Sequence, residues 1–154
     1  MRIASMALVL SLLITACSKD EGCKNVPVAD EDATLVAYNT MHSITATKHP
    51  SGLYYEIINP GGSSKPVYNS TVYVKYVGKT FDGAIFDQQT APSIGGFYLP
   101  QLIQGWQIGI PLIGKGGRIL LTIPSSLAYG CQGSSDGTLK NAPLYFEIDL
   151  VDFH

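Results

Sequence analysis

The single tryptophan of the chain, Trp106, follows a glycine inside the stretch LPQLIQGWQIGIP, residues 99–111. Leu99, Leu102, Ile103 and Trp106 recur at the 3, 4, 7 spacing of one helical face, Pro100 suits a first turn, and Gly109 and Pro111 suit an end. The spacing predicts a helix of at most about three turns. Gly105 costs such a helix about 1 kcal/mol relative to alanine, so its presence predicts close approach of another backbone or of a ligand. The chemistry open to such a surface is binding through apolar and aromatic contact, although on this stretch alone a buried core tryptophan is the simpler reading. Other chemistries find no residues to carry them. The sequence has no Cys-x-x-Cys pair and no His/Cys cluster, and His42, His49 and His154 stand far from ligand spacing, so no metal site is expected. GKGG (114–117) lacks the spacing and the Lys-Ser/Thr of a phosphate loop and reads as the turn before a strand.

Around this short helix the chain reads as strands. TVYVKYVGKT (71–80) alternates Val72, Val74 and Tyr76 on one face with Tyr73, Lys75 and Val77 on the other. SGLYYEII (51–58) is a strand closed by the turn signal NPGGSSKP, and Asp82-Gly83 in FDGAIFD (81–87) is a tight-turn pair that returns the chain to Ile85 and Phe86 as a hairpin. GGRILLTIP (116–124) is a buried strand stopped by Pro124, and PLYFEIDLVDF (143–153) alternates Leu144, Phe146, Ile148 and Leu150 with Tyr145, Glu147, Asp149 and Val151. Four or more antiparallel strands with one short helix predict an α+β fold whose helix covers the apolar face of the sheet. DEDATLVAYNTMH, from Asp30 to about His42, predicts an accessory amphipathic helix capped by Asp30 or Asp32, with Leu35, Val36 and Met41 apolar. NST at Asn69 reads as a turn.

At the N-terminus, Arg2 is followed by IASMALVLSLLITA, shorter than the about 20 residues of a membrane span but of the length of a secretory signal core, which predicts export. The ending ITAC resembles a bacterial lipobox, which predicts removal of residues 1–16 and lipidation of Cys17. Two or more acyl chains anchor stably where one binds only marginally. Lys19, Asp20 and Glu21 resemble the surface-export signal of Bacteroidetes lipoproteins and read equally well as a solvated tether. The expected boundaries are a signal peptide over 1–16, a lipidated tether over 17–29, the accessory helix and linker over 30–50, and one domain over 51–154. Charged residues make up 14% of the 154, below the usual quarter, and the formal net charge is −2 with no Lys/Arg cluster, which argues against nucleic acid as a partner. With Cys17 lipidated, Cys23 and Cys131 are left as an even pair in a compartment that permits disulfides. A bridge from the tether to the loop of Cys131 and two free thiols both fit the sequence.

The segments VKYVGK, FDGAIFD, LIQGWQIGI, GKGGRILLTIP, SLAYG and APLYFEIDL, in that order over roughly residues 51–153, resemble the FKBP-type peptidyl-prolyl cis-trans isomerases. The preceding helix and SGLYY are similar to those of Bacteroidetes lipoprotein members of that family. The resemblance implies an FKBP-like twisted antiparallel sheet wrapped around one short helix, with the tryptophan as the floor of a proline pocket. It implies catalytic positions at Tyr76, Phe86, Asp87, Ile103, Trp106 and Tyr129, and substrate contacts from Phe97, Leu102 and Phe146. The N–H of Ile103 and the hydroxyl of Tyr129 would hold substrate carbonyls, and Asp87, beside Tyr76, would supply the polar contact near the twisting carbonyl. No cofactor is implied. The implied partners are proline-containing unfolded or exported polypeptides, the membrane through the lipid anchor and, weakly, macrolide ligands. The implied place is the cell envelope, anchored to the outer membrane, with the periplasmic side and exposure at the outer surface both open.

Such chemistry needs no nucleophile. The barrier to X-Pro rotation, about 18 to 20 kcal/mol, comes from amide resonance lost as the bond twists. A twisted amide is less polar than a planar one, so an apolar pocket favours the transition state over the ground state. A million-fold acceleration would take about 8 kcal/mol. Two departures from the family pattern bear on this. Gly95 stands two positions before Phe97, where many members carry an aromatic wall. In the loop GCQGSSDGTLKNAP (130–143), Gly137, Thr138, Leu139 and Lys140 replace an apolar Ile and twin-Pro segment, which predicts a floppier, less apolar loop, altered catalysis and poorer macrolide binding. The alternative reading is a weakly active or inactive FKBP-fold chaperone or peptide-binding surface lipoprotein.

Overall fold

Alternation at period two puts Val72 and Val74 on one side of residues 71–80, and in the computed structural model, which describes residues 22–92 and 94–154, both side chains are fully buried. The expected signal peptide, the Cys17 lipidation site and the Lys19–Glu21 signal lie outside the described residues. Seven strands form one antiparallel sheet: β1 (Thr47–Lys48), β2 (Tyr54–Asn59), β3 (Thr71–Thr80), β4 (Ile85–Gln89), β5 (Phe97–Tyr98), β6 (Arg118–Ile123) and β7 (Leu144–Phe153). Their order is β1-β2-β6-β7-β3-β4, with β5 paired to the start of β3. The Asp82-Gly83 turn closes the β3–β4 hairpin as expected, with Gly83 at φ +90° and the Thr80 N–H donating to the Ala84 carbonyl.

The apolar face of the sheet carries the core, in which Leu53, Leu121, Ile123, Ile148 and Leu150 are fully buried. Helix α2 (Gln104–Gly109) lies across it. Gly105 and Gly109, one helical turn apart, face β6, where an added Cβ would stand 2.6 Å from Ile123 and 2.6 Å from Leu121 respectively. The close approach expected at Gly105 is present, and the approaching group is a side chain, neither backbone nor ligand.

The single helix expected across residues 99–111 is three short pieces. A 3₁₀ turn over Leu99–Gln101 precedes α2, and another over Ile110–Leu112 follows it. Leu102 and Ile103 between them are extended, with ψ of 167° and 147°, so the one-face spacing of Leu99, Leu102, Ile103 and Trp106 is not a continuous helical stripe. The Gln107 side chain holds this break, its amide donating to the Leu102 carbonyl at 2.7 Å and the Pro100 carbonyl at 3.3 Å.

Helix α1 (Val28–Met41) packs on the opposite face of the sheet and begins two residues earlier than expected, after Pro27. Neither Asp30 nor Asp32 caps it: Asp30 lies in the first turn, and Asp32 accepts from the Tyr54 hydroxyl at 3.0 Å and pairs with Lys48. The buried side is Glu31, Leu35, Tyr38 and Asn39, whereas Val36 and Met41 are exposed. Apolar periodicity misplaces this face because two of its four members are polar. Each has an oxygen bonded across the interface, Asn39 Oδ1 accepting from Thr122 Oγ1 at 2.6 Å and Glu31 Oε2 from the Ser125 N–H at 2.8 Å, while the buried Asn39 Nδ2 has no partner among the described residues.

Candidate active site

Five aromatic rings converge where β3, β4, β5, α2 and β7 meet. Trp106 stands edge-on to Tyr76, ring centroids 4.9 Å apart, and to Phe146 at 5.2 Å. Phe97 on β5 approaches Tyr76 at 6.2 Å, and Phe86 on β4 approaches Phe146 at 5.5 Å. These edge-to-face contacts lock the walls in place. Gly78 on β3 makes room for them, since a Cβ there would stand 2.7 Å from Phe146 and 2.8 Å from Phe86.

The rings enclose a cavity of about 140 Å³ lined by Tyr76, Asp87, Phe97, Leu102, Ile103, Trp106, Tyr129 and Phe146. That is close to the about 150 Å³ that holds one benzene ring in an apolar cavity, so the site admits a single small ring. Eight of the nine residues expected at a proline site line it. The exception is Phe86, which backs Phe146 and lines the adjoining cleft with Asp87 and Tyr129.

Polar groups at the cavity are few and fixed. The Tyr76 hydroxyl donates to Asp87 Oδ2 at 2.7 Å. Burial first, and then the Asp87 carboxylate, push the Tyr76 phenol well above its ordinary pKa, so it stays a donor. Burial also raises Tyr129, with the charges of Asp87 and Asp136 adding to the effect. Among the described residues, the Tyr129 hydroxyl and the Ile103 N–H make no hydrogen bond, and the buried Trp106 indole N–H has no partner. The first two are donors at the cavity with capacity to spare. The extended backbone at Ile103, stabilised by Gln107, keeps that N–H out of the helical ladder.

The loop beyond Tyr129 is tied down. Asp136 accepts from Thr138 Oγ1 at 2.7 Å and the Thr138 N–H at 3.0 Å, and the Ser134 N–H donates to the Thr138 carbonyl at 2.9 Å. Cys131 is disulfide-bonded to Cys23, which decides between the two readings of this pair. The Cys131 N–H donates to Asn25 Oδ1, and Asn141 Nδ2 donates to the Lys24 carbonyl. The N-terminal segment is therefore a strap across the loop that follows Tyr129.

A family model described as FKBP-type peptidyl-prolyl cis-trans isomerase matches residues 62–151, more than half of the chain. The chain belongs to the FKBP-type peptidyl-prolyl cis-trans isomerase family. It is 41% identical over 104 residues to a probable FKBP-type isomerase, FkpA, of Neisseria meningitidis, a match that covers 66% of this chain and 38% of that relative. It is 35% identical over 124 residues to the outer membrane protein MIP of Legionella longbeachae, covering 80% of this chain and 52% of that one. The chain thus spans well under two thirds of the length of these curated relatives. A crystal structure of a peptidyl-prolyl cis-trans isomerase from Pseudomonas syringae superposes with a TM-score of 0.68 at 31% identity, over 84% of this chain and 98% of that one. That of FkpA from Escherichia coli gives 0.69 at 34%, over 82% and 60%.

The expected FKBP-like α+β fold is the observed one. Within it, three features escape motif reading. Gln107 shapes the turn that presents Ile103, Leu139 packs its side chain against the core beside Tyr129, and Glu31 anchors the turn leading to Tyr129 through the Ser125 N–H. Only Leu139 carried a signal, as the one large apolar residue in a polar loop. Gly95, where a thin wall is expected, is exposed with no described atom within 4 Å of an added Cβ, and it does not line the cavity.

Proposed function

We propose that this chain catalyses cis-trans isomerisation of X-Pro bonds in exported polypeptides. The observation that carries the reading is the aromatic cavity of one-ring size with two spare hydrogen-bond donors at its rim, Tyr129 Oη and Ile103 N–H. Trp106, Tyr76, Phe97 and Phe146 would take the proline ring out of water, which favours the less polar twisted amide. The two donors would hold the carbonyls flanking the proline, so that rotation is confined to one bond. Asp87, oriented by Tyr76, would act electrostatically beside the rotating carbonyl, and Leu102 and Phe86 would shape the walls. No step transfers a proton, so no general acid or base is required.

The envelope is the proposed site of action. The signal-like N-terminus, the lipobox-like ITAC at Cys17 and a disulfide over Cys23 and Cys131 support export into an oxidising compartment, and a relative named as an outer membrane protein supports the outer membrane. On this reading the lipidated tether that exposes the domain at the surface is residues 17–22, shorter than the expected 17–29 because Cys23 is bonded to Cys131 and α1 begins at Val28, and macrolides bind weakly past the polar loop.

The test is cis/trans exchange in Ala-Leu-Pro-Phe, followed by NMR without a helper protease, on the full chain and on its Asp87→Ala variant. Acceleration that falls with the substitution is expected. Absence of acceleration from the wild type refutes the isomerase, and quenching of Trp106 by the peptide in that case marks a proline-binding module.

A further inference from the structure

Beside the aromatic cavity, and sharing Asp87 and Tyr129 with it, lies a second cleft of about 250 Å³. Besides these two it is lined by the apolar Phe86 and Leu139 and by the polar Ser134, Ser135, Asp136 and Thr138. The carbonyl of an isomerising bond belongs to the residue before proline, and Asp87, the wall common to cavity and cleft, is the group set beside that carbonyl. With consecutive Cα atoms about 3.8 Å apart, a proline ring on Trp106 leaves the preceding side chain within reach of the shared wall.

The charge in the cleft has one sign. Asp136 accepts hydrogen bonds from Ser134 and Thr138, which hold its carboxyl down to about 2, so it is charged at all working pH. Asp87 also lines the cleft, and the charges of both carboxylates act on Tyr129. Among the described residues neither carboxylate has an ion-pair partner. Lys140, the only cation of the loop, lies along Gly133 and not on the cleft. A lysine or arginine fits this arrangement, its hydrocarbon stem over Phe86 and Leu139 and its head between the carboxylates.

We propose that this cleft receives the side chain preceding proline and that Asp136, with Asp87, makes it select lysine or arginine there. The proposal rests on the proline-pocket reading above, and the experiment separates the two. Peptides Ala-X-Pro-Phe with X as Lys, Leu or Glu are compared on the full chain by NMR exchange and by Trp106 fluorescence titration, at about 0.02 M and 0.5 M salt. Exposed ion pairs are each worth up to about fivefold, so Lys is expected over Leu by about threefold and over Glu by about tenfold, with both ratios collapsing at high salt. Asp136→Asn keeps an oxygen to accept from Ser134 and Thr138 and so keeps the loop. It is expected to cut the Lys-to-Glu ratio about threefold. Leu equal to or better than Lys, or a Lys-to-Glu ratio indifferent to salt or to Asp136→Asn, overturns the proposal. Should no peptide be isomerised, the isomerase reading fails, and the fluorescence affinities alone decide the subsite by the same ratios.

Discussion

Gly105→Ala sets helix propensity against packing at the floor of the site. In a free helix the change would stabilise by about 1 kcal/mol. Here the new Cβ would stand 2.6 Å from both Cδ1 and Cγ2 of Ile123, about 1 Å inside the optimal carbon–carbon separation. Ile123 is fully buried and cannot swing away, and overpacking of such a site costs about 1 to 3 kcal/mol. The variant is therefore expected to gain nothing and to lose up to about 2 kcal/mol net, and to lift Trp106, the next residue, from its contacts with Tyr76 and Phe146. Ile123→Ala removes the three carbons nearest the new methyl, so the double variant should be more stable than the sum of the two single effects by at least about 1 kcal/mol. Urea unfolding followed by Trp106 fluorescence measures all four proteins with a probe beside the perturbation. Stabilisation of Gly105→Ala by the full propensity gain, or additivity within about 0.5 kcal/mol, would refute the argument that close packing on β6 is why glycine stands before the tryptophan.

Glu31→Ala leaves the buried Ser125 N–H unsatisfied and should destabilise by about 1 to 3 kcal/mol in the same assay, with Glu31→Gln, which keeps an acceptor, recovering most of it. Cys131→Ser removes a bridge that spans 108 residues of sequence, and a loss of about 2 to 5 kcal/mol is expected in the melting of the full chain, matched by wild type under reductant; melting unchanged by either would show the strap carries no stability. The rate constant kcat/KM should be flat from about pH 6 to 9, because rotation moves no proton and burial holds Tyr76 and Tyr129 protonated past the ordinary tyrosine range; a bell-shaped profile would contradict this. Asp136 has a folded pKa of about 2 against an ordinary 3.8, and Asp32, Asp82 and Asp152 are also lowered. Their stabilisation is present above about pH 4 and lost as pH falls toward 2, so the urea midpoint should drop over that window, less steeply in Asp136→Asn.

Features that depend on near neighbours in the chain are legible in the amino-acid order alone. The alternation of β3 and β7, the Asp82-Gly83 hairpin and the turn at GKGG follow from period-two patterning and turn chemistry, which act over a few residues. The order of six motifs also picked out eight residues that line the aromatic cavity, because each sits at a recognisable point of a strand, turn or helix. Tertiary structure decided the rest. The break at Leu102 and Ile103 exists because the Gln107 amide reaches back to two carbonyls, an interaction with no signature in apolar spacing. The buried face of α1 is half polar because Glu31 and Asn39 meet Ser125 and Thr122, residues 94 and 83 positions away. The bond between Cys23 and Cys131 and the cleft between Asp87 and Asp136 likewise join parts of the chain that only the strand order brings together, and local periodicity carries no information about such distances.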